Sequence, residues 1–289
     1  MLPSRRQSLI MLVAIAAGAA ALISAAEAVM PADGQPGLVL ADAGPGPWLA
    51  AGLMAIALVP AVAAGVVAAS TGRRLAGPFC VGVAMAMLAW SSGPIDGWLR
   101  RSGHDSSYAT LAAETLFWLL PILAVVILPR WRDQLPGWWP MAAPRPAAPD
   151  VSIRPTIIGI GLVALIGGLA AWPLAATTAM PQATLGVFLA FLLAGAVVGH
   201  WVPQADGPWL TIGPAGAAVV AYLGLAFTAG DQAQLLTDWY ADNLRGLGLT
   251  LPTTVIGAGA AGVATGIAWW RPAPLTDDPA ADTPADPAS

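Results

Sequence analysis

Charged and reactive side chains are scarce in this chain of 289 residues. Lysine is absent, so arginine supplies all 12 formal positive charges, and only 10% of the residues are charged. The chain has one cysteine, Cys80, and two histidines, His104 and His200. A single cysteine excludes an internal disulfide and a cysteine-based zinc site. A soluble domain of this length needs more polar surface than these residues provide.

Apolar residues dominate instead, at 57% of the chain. Continuous apolar runs recur near the length of about 20 residues that a helix needs to cross a bilayer. Because these runs do not alternate with polar residues, they indicate helices rather than the strands of a membrane barrel. We therefore predict an all-α, polytopic membrane protein with eight transmembrane helices, at residues 8–29, 48–70, 78–90, 109–128, 156–178, 184–201, 209–228 and 253–270. The third is short, so a partly re-entrant segment is the alternative there.

The distribution of arginine predicts the orientation in the membrane. With the N-terminus in the cytoplasm, nine arginines lie inside and only Arg100, Arg101 and Arg245 lie outside, as the positive-inside rule requires. All tryptophans except Trp118 lie near a predicted span end, which is typical of interfacial aromatic belts. We predict that both termini are cytoplasmic and that the protein resides in the cell inner membrane.

The first span has a second interpretation. Two arginines at residues 5 and 6, an apolar run and the sequence Ala-Glu-Ala at residues 26–28 also describe a signal peptide, whose removal would leave seven spans.

The chain divides into two membrane halves. Residues 1–129 hold spans one to four and residues 156–271 hold spans five to eight, with an amphipathic outer helix predicted near residues 231–247. A proline-rich connector at 130–155 separates them, and an acidic tail at 272–289 is expected to be disordered. Gly-Pro-Trp-Leu occurs at 46–49 and again at 207–210, which we interpret as two helix starts. A duplication of four spans remains open.

Catalytic motifs do not emerge from the sequence. The stretch Gly-Ala-Gly-Ala-Ala-Gly at 257–262 matches a dinucleotide fingerprint, but it lies inside an apolar run without the strand that such a site needs. It is better interpreted as part of a small-residue face for helix packing. The predicted packing residues are Gly195, Gly199, Ala258, Gly262 and Gly266. The two histidines are predicted on opposite sides of the membrane, so we expect no metal, no cofactor and no catalytic residue.

Glu27 and Glu114, the only glutamates, are candidate functional residues within the membrane, and Glu114 is the acid placed clearly inside a span. Trp118 and Pro121 share its helical face. One interpretation is a carboxyl group that stays protonated or pairs with Arg100 or Arg101. The other is a binding site for an ion or a proton. Further acidic residues, Asp231, Asp238 and Asp242, predict an acidic outer surface.

Three functions remain open from the sequence. The first is a non-catalytic membrane subunit or scaffold, which small-residue packing faces and sparse internal polarity favour. The second is a transporter or channel for an ion or an apolar solute, using Glu114 and the acidic outer face. The third, a membrane-embedded enzyme, lacks a recognisable set of catalytic groups. The expected partners are the lipid bilayer and either other membrane subunits or further copies of the chain, and no nucleic acid.

Overall fold

The computed structural model describes residues 5–30, 39–70, 74–101, 108–130, 152–228, 232–241, 244 and 246–270. Within these ranges the secondary structure is helical and contains no strand, which confirms the all-α prediction. The helices are α1 (Arg5–Val29), α2 (Pro47–Ser70), α3 (Ala76–Ser92), α4 (Ile95–Arg101), α5 (Tyr108–Ile127), α6 (Ile153–Leu174), α7 (Met180–Trp201), α8 (Gly207–Leu210), α9 (Gly213–Thr228), α10 (Gln232–Tyr240) and α11 (Pro252–Trp270). Short 3-10 turns at Leu40–Asp42 and Gly246–Leu249 precede α2 and α11.

Prolines and glycines set several helix boundaries. Pro47 is the first residue of α2 and Pro208 is the second of α8, so both copies of Gly-Pro-Trp-Leu begin a helix, as predicted. Proline costs no hydrogen bond there, because the first N–H groups of a helix have no intrahelical acceptor. At the other end of a helix, Gly93 follows α3 with φ +83°, a left-handed conformation that stops the helix.

The predicted span at 209–228 is not one continuous helix. It divides into α8 and α9 at Thr211 and Ile212. Pro214 has no N–H, so it cannot donate the helical hydrogen bond to the carbonyl of Leu210. The Thr211 hydroxyl donates to the carbonyl of Pro208 at 2.6 Å and closes the turn at the end of α8.

The amphipathic helix predicted near 231–247 is also shorter than expected, because α10 ends at Tyr240. Gly246 has φ +62°, which a continuous right-handed helix does not allow. The buried side chains of Leu244 and Leu247 belong to the core rather than to an interfacial face of that helix. The period-3.6 pattern therefore continued past the end of the real helix.

Six helical segments of the described chain are long and apolar enough to cross a membrane: residues Arg5–Val29, Pro47–Ser70, Tyr108–Arg130, Ile153–Leu174, Met180–Trp201 and Gly207–Thr228. This finding confirms a multi-pass helical membrane protein. Helix α3 has 17 residues, and α11 has 19 residues that are mostly small. The count of eight spans and the orientation remain predictions.

Helix α11 lies at the centre of the bundle. Every residue from Pro252 to Ala264 is buried, and the helix packs against α3, α5, α7 and α9. By contrast, α6 exposes Ile157, Leu165 and Leu169, the large apolar side chains expected on a lipid-facing surface. Because α11 is enclosed by protein, glycine and alanine suffice there and let neighbouring backbones approach closely.

The two halves repeat one order of elements. In each half three long segments, α1 to α3 and α6 to α9, precede a short helix, α4 or α10, and one last long helix, α5 or α11. The last helices also pack across the halves, since α11 packs on α3 as well as on α7 and α9, and α5 packs on α9 as well as on α2 and α3. We call the two ends of the bundle the Glu114 end, where α2, α5, α7 and α11 begin, and the Arg130 end, where α1, α3, α6 and α8 begin.

Candidate functional site

Glu114 lies in the first third of α5 and is buried, with 7% of its surface exposed. Its Oε1 accepts a hydrogen bond from the backbone N–H of Ala41 at 2.9 Å, and the N–H of Leu40 also interacts with the carboxyl group. The donor Ala41 and its neighbour Leu40 belong to the 3-10 turn at Leu40–Asp42, which precedes α2. The carboxyl group therefore attaches that turn to α5, a contact that the sequence analysis did not anticipate.

The second carboxyl oxygen of Glu114 is buried and has no hydrogen-bond partner. One turn further along α5, the fully buried Trp118 brings its indole N–H near the same carboxyl group. The approach does not meet hydrogen-bond geometry, so the indole nitrogen also lacks a partner. A hydrogen bond requires alignment of the N–H with the acceptor oxygen as well as proximity. One edge of the carboxyl group is thus bound, and the other edge is not.

Within the described part of the chain, two acidic groups interact with Glu114. Asp42, at the end of the 3-10 turn, interacts with it electrostatically, and so does the Tyr222 side chain on α9. The predicted partner Arg100 instead lies 4.0 Å from Asp96. Its guanidinium group also lies 5.3 Å from the centre of the Trp239 ring. The ion pair between Arg100 and Glu114 was therefore a wrong expectation, because a partner one turn back in α4 was available. The side chain of the other predicted partner, Arg101, lies outside the described residues.

The remaining predicted polar residues are spread over the molecule. Glu27 is exposed near the end of α1, and Pro121 is buried within α5 below Trp118. Asp238 is half-buried on α10. Asp231, Asp242 and His104 lie outside the described residues, so the acidic outer surface stays a prediction. His200 packs beside Trp270 at the Arg130 end, with ring centres 5.5 Å apart and the ring planes inclined at 55°.

The predicted packing glycines meet at the interface of α7 and α11. A methyl group built on Gly195 would lie 2.6 Å from the carbonyl oxygen of Val263, and one built on Gly266 would lie 2.7 Å from the Ala196 nitrogen. Gly262 faces the backbone of α7 at Phe188 and Leu192. The two backbones are thus in contact. Gly199 is looser, and Ala258 lines a groove of about 250 Å³ between α3, α7 and α11.

The other glycines of Gly-Ala-Gly-Ala-Ala-Gly serve different neighbours. A methyl group on Gly257 would lie 2.7 Å from the backbone nitrogen of Ala86 in α3, and one on Gly259 would lie 2.6 Å from Cβ of Pro214 in α9. The motif therefore presents one glycine to each of three helices. This use as a packing motif agrees with its placement inside a buried helix rather than at a strand-to-helix turn.

Polar contacts at both ends of the bundle join the two halves. At the Arg130 end, Arg130 forms an ion pair with Asp206, whose backbone N–H donates to the Thr156 hydroxyl at 3.1 Å. The Arg130 guanidinium group also lies 5.2 Å from the centre of the Trp209 ring. The arginine distribution predicts only a side of the membrane for Arg130 and does not predict this pairing.

Two tyrosines make the corresponding contacts at the Glu114 end. Tyr108 donates to the carbonyl of Gly248 at 2.8 Å, and Tyr222 donates to the carbonyl of Thr250 at 2.7 Å. Their rings stack with centres 6.1 Å apart. Because both phenols are buried, these bonds satisfy groups that would otherwise be costly to remove from water. They anchor the loop that leads into α11.

Within the described residues, no group of three His, Cys, Asp or Glu side chains is arranged to hold a metal ion. Glu114 and its surroundings therefore form the candidate site: a buried carboxyl group, held on one side by a backbone turn and close to a second acid. Such a group can bind a proton or a cation, or it can simply secure the turn. No family model, curated protein or solved structure matches this chain.

Proposed function

We propose that this protein is a non-catalytic membrane subunit or scaffold. The observation that carries the proposal is the packing of α11, whose glycines bring its backbone into contact with α3 and α7 at the centre of the bundle. A centre filled by backbone contacts suits a rigid body that holds its shape in the bilayer.

Four of the buried hydroxyl groups support the same role, whereas those of Thr184, Thr253 and Thr254 have no hydrogen-bond partner. Those of Ser92 and Thr115 donate to carbonyls of their own helices, and those of Thr211 and Thr250 donate within their own turns. A translocated polar substrate needs hydrogen-bonding groups that it can reach. These hydroxyls are already committed to the backbone and support structure instead.

Two measurements test the scaffold role. Gentle solubilisation of native membranes followed by native mass spectrometry should show the chain in a complex of fixed stoichiometry with another membrane subunit or with further copies. The purified chain in liposomes should show no more proton or cation flux than protein-free vesicles. A chain that is monomeric in native membranes and conducts ions would contradict the proposal.

A transporter or channel for a small cation or a proton is the second candidate. It is favoured by one observation, the buried oxygen of Glu114 that has no hydrogen-bond partner. Flux in liposomes that Glu114→Gln abolishes, and that Glu27→Gln at the exposed glutamate preserves, would favour this candidate over the scaffold.

We also propose that the protein lies in the cell inner membrane with both termini in the cytoplasm. The arginine distribution supports this orientation. A reporter active only in the cytoplasm should give signal when fused after residue 271 and none when inserted near residue 242. The reverse pattern would overturn the orientation.

A further inference from the structure

A second arginine, Arg74, lies close to Arg130. A methyl group built on Gly77, at the start of α3, would lie 3.5 Å from Cβ of Val125 on α5. Because α3 begins at the Arg130 end and α5 finishes there, the residues just before Gly77 lie level with those just after Val125. The charge of Arg74 acts on Arg130 across this contact. Two different helices thus bring two guanidinium groups to one place.

Another contact places Arg74 beside the segment that holds Asp206. The side chain of Leu75 lies 3.6 Å from a methyl group built on Gly207, and Asp206 directly precedes that glycine. Asp206 itself forms the ion pair with Arg130. The turn before α3, the end of α5 and the start of α8 therefore meet around one carboxylate.

The charges at this meeting point do not cancel. Within the described ranges, Asp206 is the only acid at the Arg130 end. The other described acids lie at the Glu114 end: Glu27, Asp42, Asp96, Glu114 and Asp238. Arginine keeps its charge at any pH that proteins tolerate. Because Asp206 neutralises one guanidinium group, the set of Arg74, Arg130 and Asp206 keeps one net positive charge.

This positive charge lies where the headgroups of a bilayer are expected. The candidate spans Pro47–Ser70 and Tyr108–Arg130 end here, and the candidate span Gly207–Thr228 begins here. Arg74 and Arg130 are both half-buried, so a ligand from the surroundings can reach them. Basic side chains between the ends of transmembrane helices bind anionic lipid headgroups, and the planar guanidinium fork matches two phosphate oxygens.

We propose that Arg74 and Arg130 bind the phosphate group of an anionic ligand, and that an anionic phospholipid of the surrounding bilayer supplies it. Arg74 donates N–H groups to the phosphate oxygens, while Arg130, held by Asp206 and the Trp209 ring, provides the second positive charge. A phosphodiester carries one negative charge, so its binding makes the set neutral. The site goes beyond both candidate functions and depends on neither, because it concerns a lipid that the bundle binds.

Lipid retention by the full chain tests the site. The purified chain in mixed micelles of a neutral detergent and either phosphatidylglycerol or phosphatidylcholine, with the same acyl chains, is captured on a resin and washed with detergent. The lipid that remains per chain is then measured. The wild type should retain several-fold more phosphatidylglycerol than phosphatidylcholine, because a zwitterionic headgroup also brings a positive charge to the arginines.

Two variants show whether the preference belongs to this site. Arg74→Gln should lower the retention of phosphatidylglycerol several-fold. Arg154→Gln is the matched control and should retain as much as the wild type. Arg154 is exposed at the same end, but it lies two residues before Thr156, and thus about 200° around α6 from the hydroxyl that contacts Asp206.

The carboxylate gives a test of opposite sign. Asp206→Asn removes the negative charge that competes with the phosphate, so it should raise the retention of phosphatidylglycerol several-fold above the wild type. A purely structural role of these residues would not produce that gain. If Asp206→Asn fails to fold, Arg74→Lys carries the test. It keeps the charge but loses the planar fork, so its retention should lie between those of the wild type and Arg74→Gln.

A wash with inorganic phosphate distinguishes the two sources of the same chemistry. The lipid should remain bound in phosphate as it does in chloride at equal ionic strength, because its acyl chains hold the headgroup at the site. Displacement by phosphate alone would assign the site to free phosphate and overturn the lipid as its source. Equal retention of the two lipids by the wild type would overturn the site itself, and so would equal retention of phosphatidylglycerol by the wild type and Arg74→Gln.

Discussion

The interface of α7 with α11 and the contact of Glu114 with its turn are both close and buried, but they arise in opposite ways. The first is made by glycines at regular spacing on two continuous helices, where the absence of side chains lets backbones touch. The second is one side chain reaching a backbone N–H that lies 73 residues away in sequence. A periodic contact is therefore distributed over several helical turns, whereas an isolated polar contact depends on a single pair of groups.

The largest loss of stability should come from placing a bulky side chain in the interface of α7 with α11. Gly266→Leu places a side chain against the carbonyl of Leu192 and the backbone of Ala196, which cannot move without displacing α7. We expect a loss of about 3 kcal/mol or more in the free energy of unfolding. Thermal unfolding followed by size-exclusion chromatography in detergent measures it. Gly161→Leu is the control, because nothing lies within 4 Å of a methyl group there, and an equal loss would refute the packing argument.

A smaller effect is expected from the ion pair that joins the halves at the Arg130 end. Asp206→Ala leaves Arg130 without its carboxylate partner, and the side chains are 28% and 11% exposed. We expect about 2 kcal/mol of destabilisation, below the value for a fully buried pair because water still reaches Arg130. A double-mutant cycle with Arg130→Ala measures the coupling. A coupling energy of zero would show that the pair does not hold the halves together.

Removing the contact between Glu114 and its turn should lower the free energy of unfolding by less than the loss of the ion pair does. Glu114→Leu leaves the Ala41 N–H without an acceptor, which we expect to cost about 1–2 kcal/mol, whereas Glu114→Gln retains an acceptor oxygen and should cost less. Chemical unfolding of the wild type and both variants in lipid nanodiscs, all at the same pH, measures these differences. Equal stability of both variants and wild type would mean that the contact contributes nothing to the fold.

The smallest effect should come from one hydroxyl group. Tyr222→Phe removes the bond to the Thr250 carbonyl and keeps the ring that stacks on Tyr108, so we expect a loss of about 1 kcal/mol. The control is Tyr240→Phe, at an exposed tyrosine. It should change the free energy of unfolding by less than about 0.5 kcal/mol. Equal free energies of unfolding for Tyr222→Phe and wild type would show that the Tyr222 hydroxyl does not stabilise the fold through its bond to the Thr250 carbonyl.

These contacts differ in how far the sequence predicts them. Spacing of four residues placed Gly262 and Gly266 on one helix face, and that face does pack, because period 3.6 fixes which residues are neighbours. The sequence also singled out Glu114 as a buried acid. It could not identify Ala41 or Asp42 as neighbours, because a turn between helices carries no periodic signal.

Breaks in regular structure were missed for a related reason. Composition made residues 209–228 a single apolar run, but the proline at 214 removes one hydrogen bond and divides the helix. The pairing of Arg130 with Asp206 likewise depends on where two chain segments end in space. The number of charges on each side of the membrane predicts a side for Arg130 and Asp206, but it does not predict that the two residues form an ion pair.

The central position of α11 has a consequence for synthesis. Chains emerge from the ribosome N-terminus first, so α11 is made after every other helix that the structure describes, yet it fills the middle of the bundle between α3, α5, α7 and α9. Until it arrives, the surfaces of α3 and α7 that receive its glycines have no neighbour. The first half of the chain therefore reaches the membrane early but acquires its final shape late, when a segment more than 150 residues downstream of α3 inserts beside it.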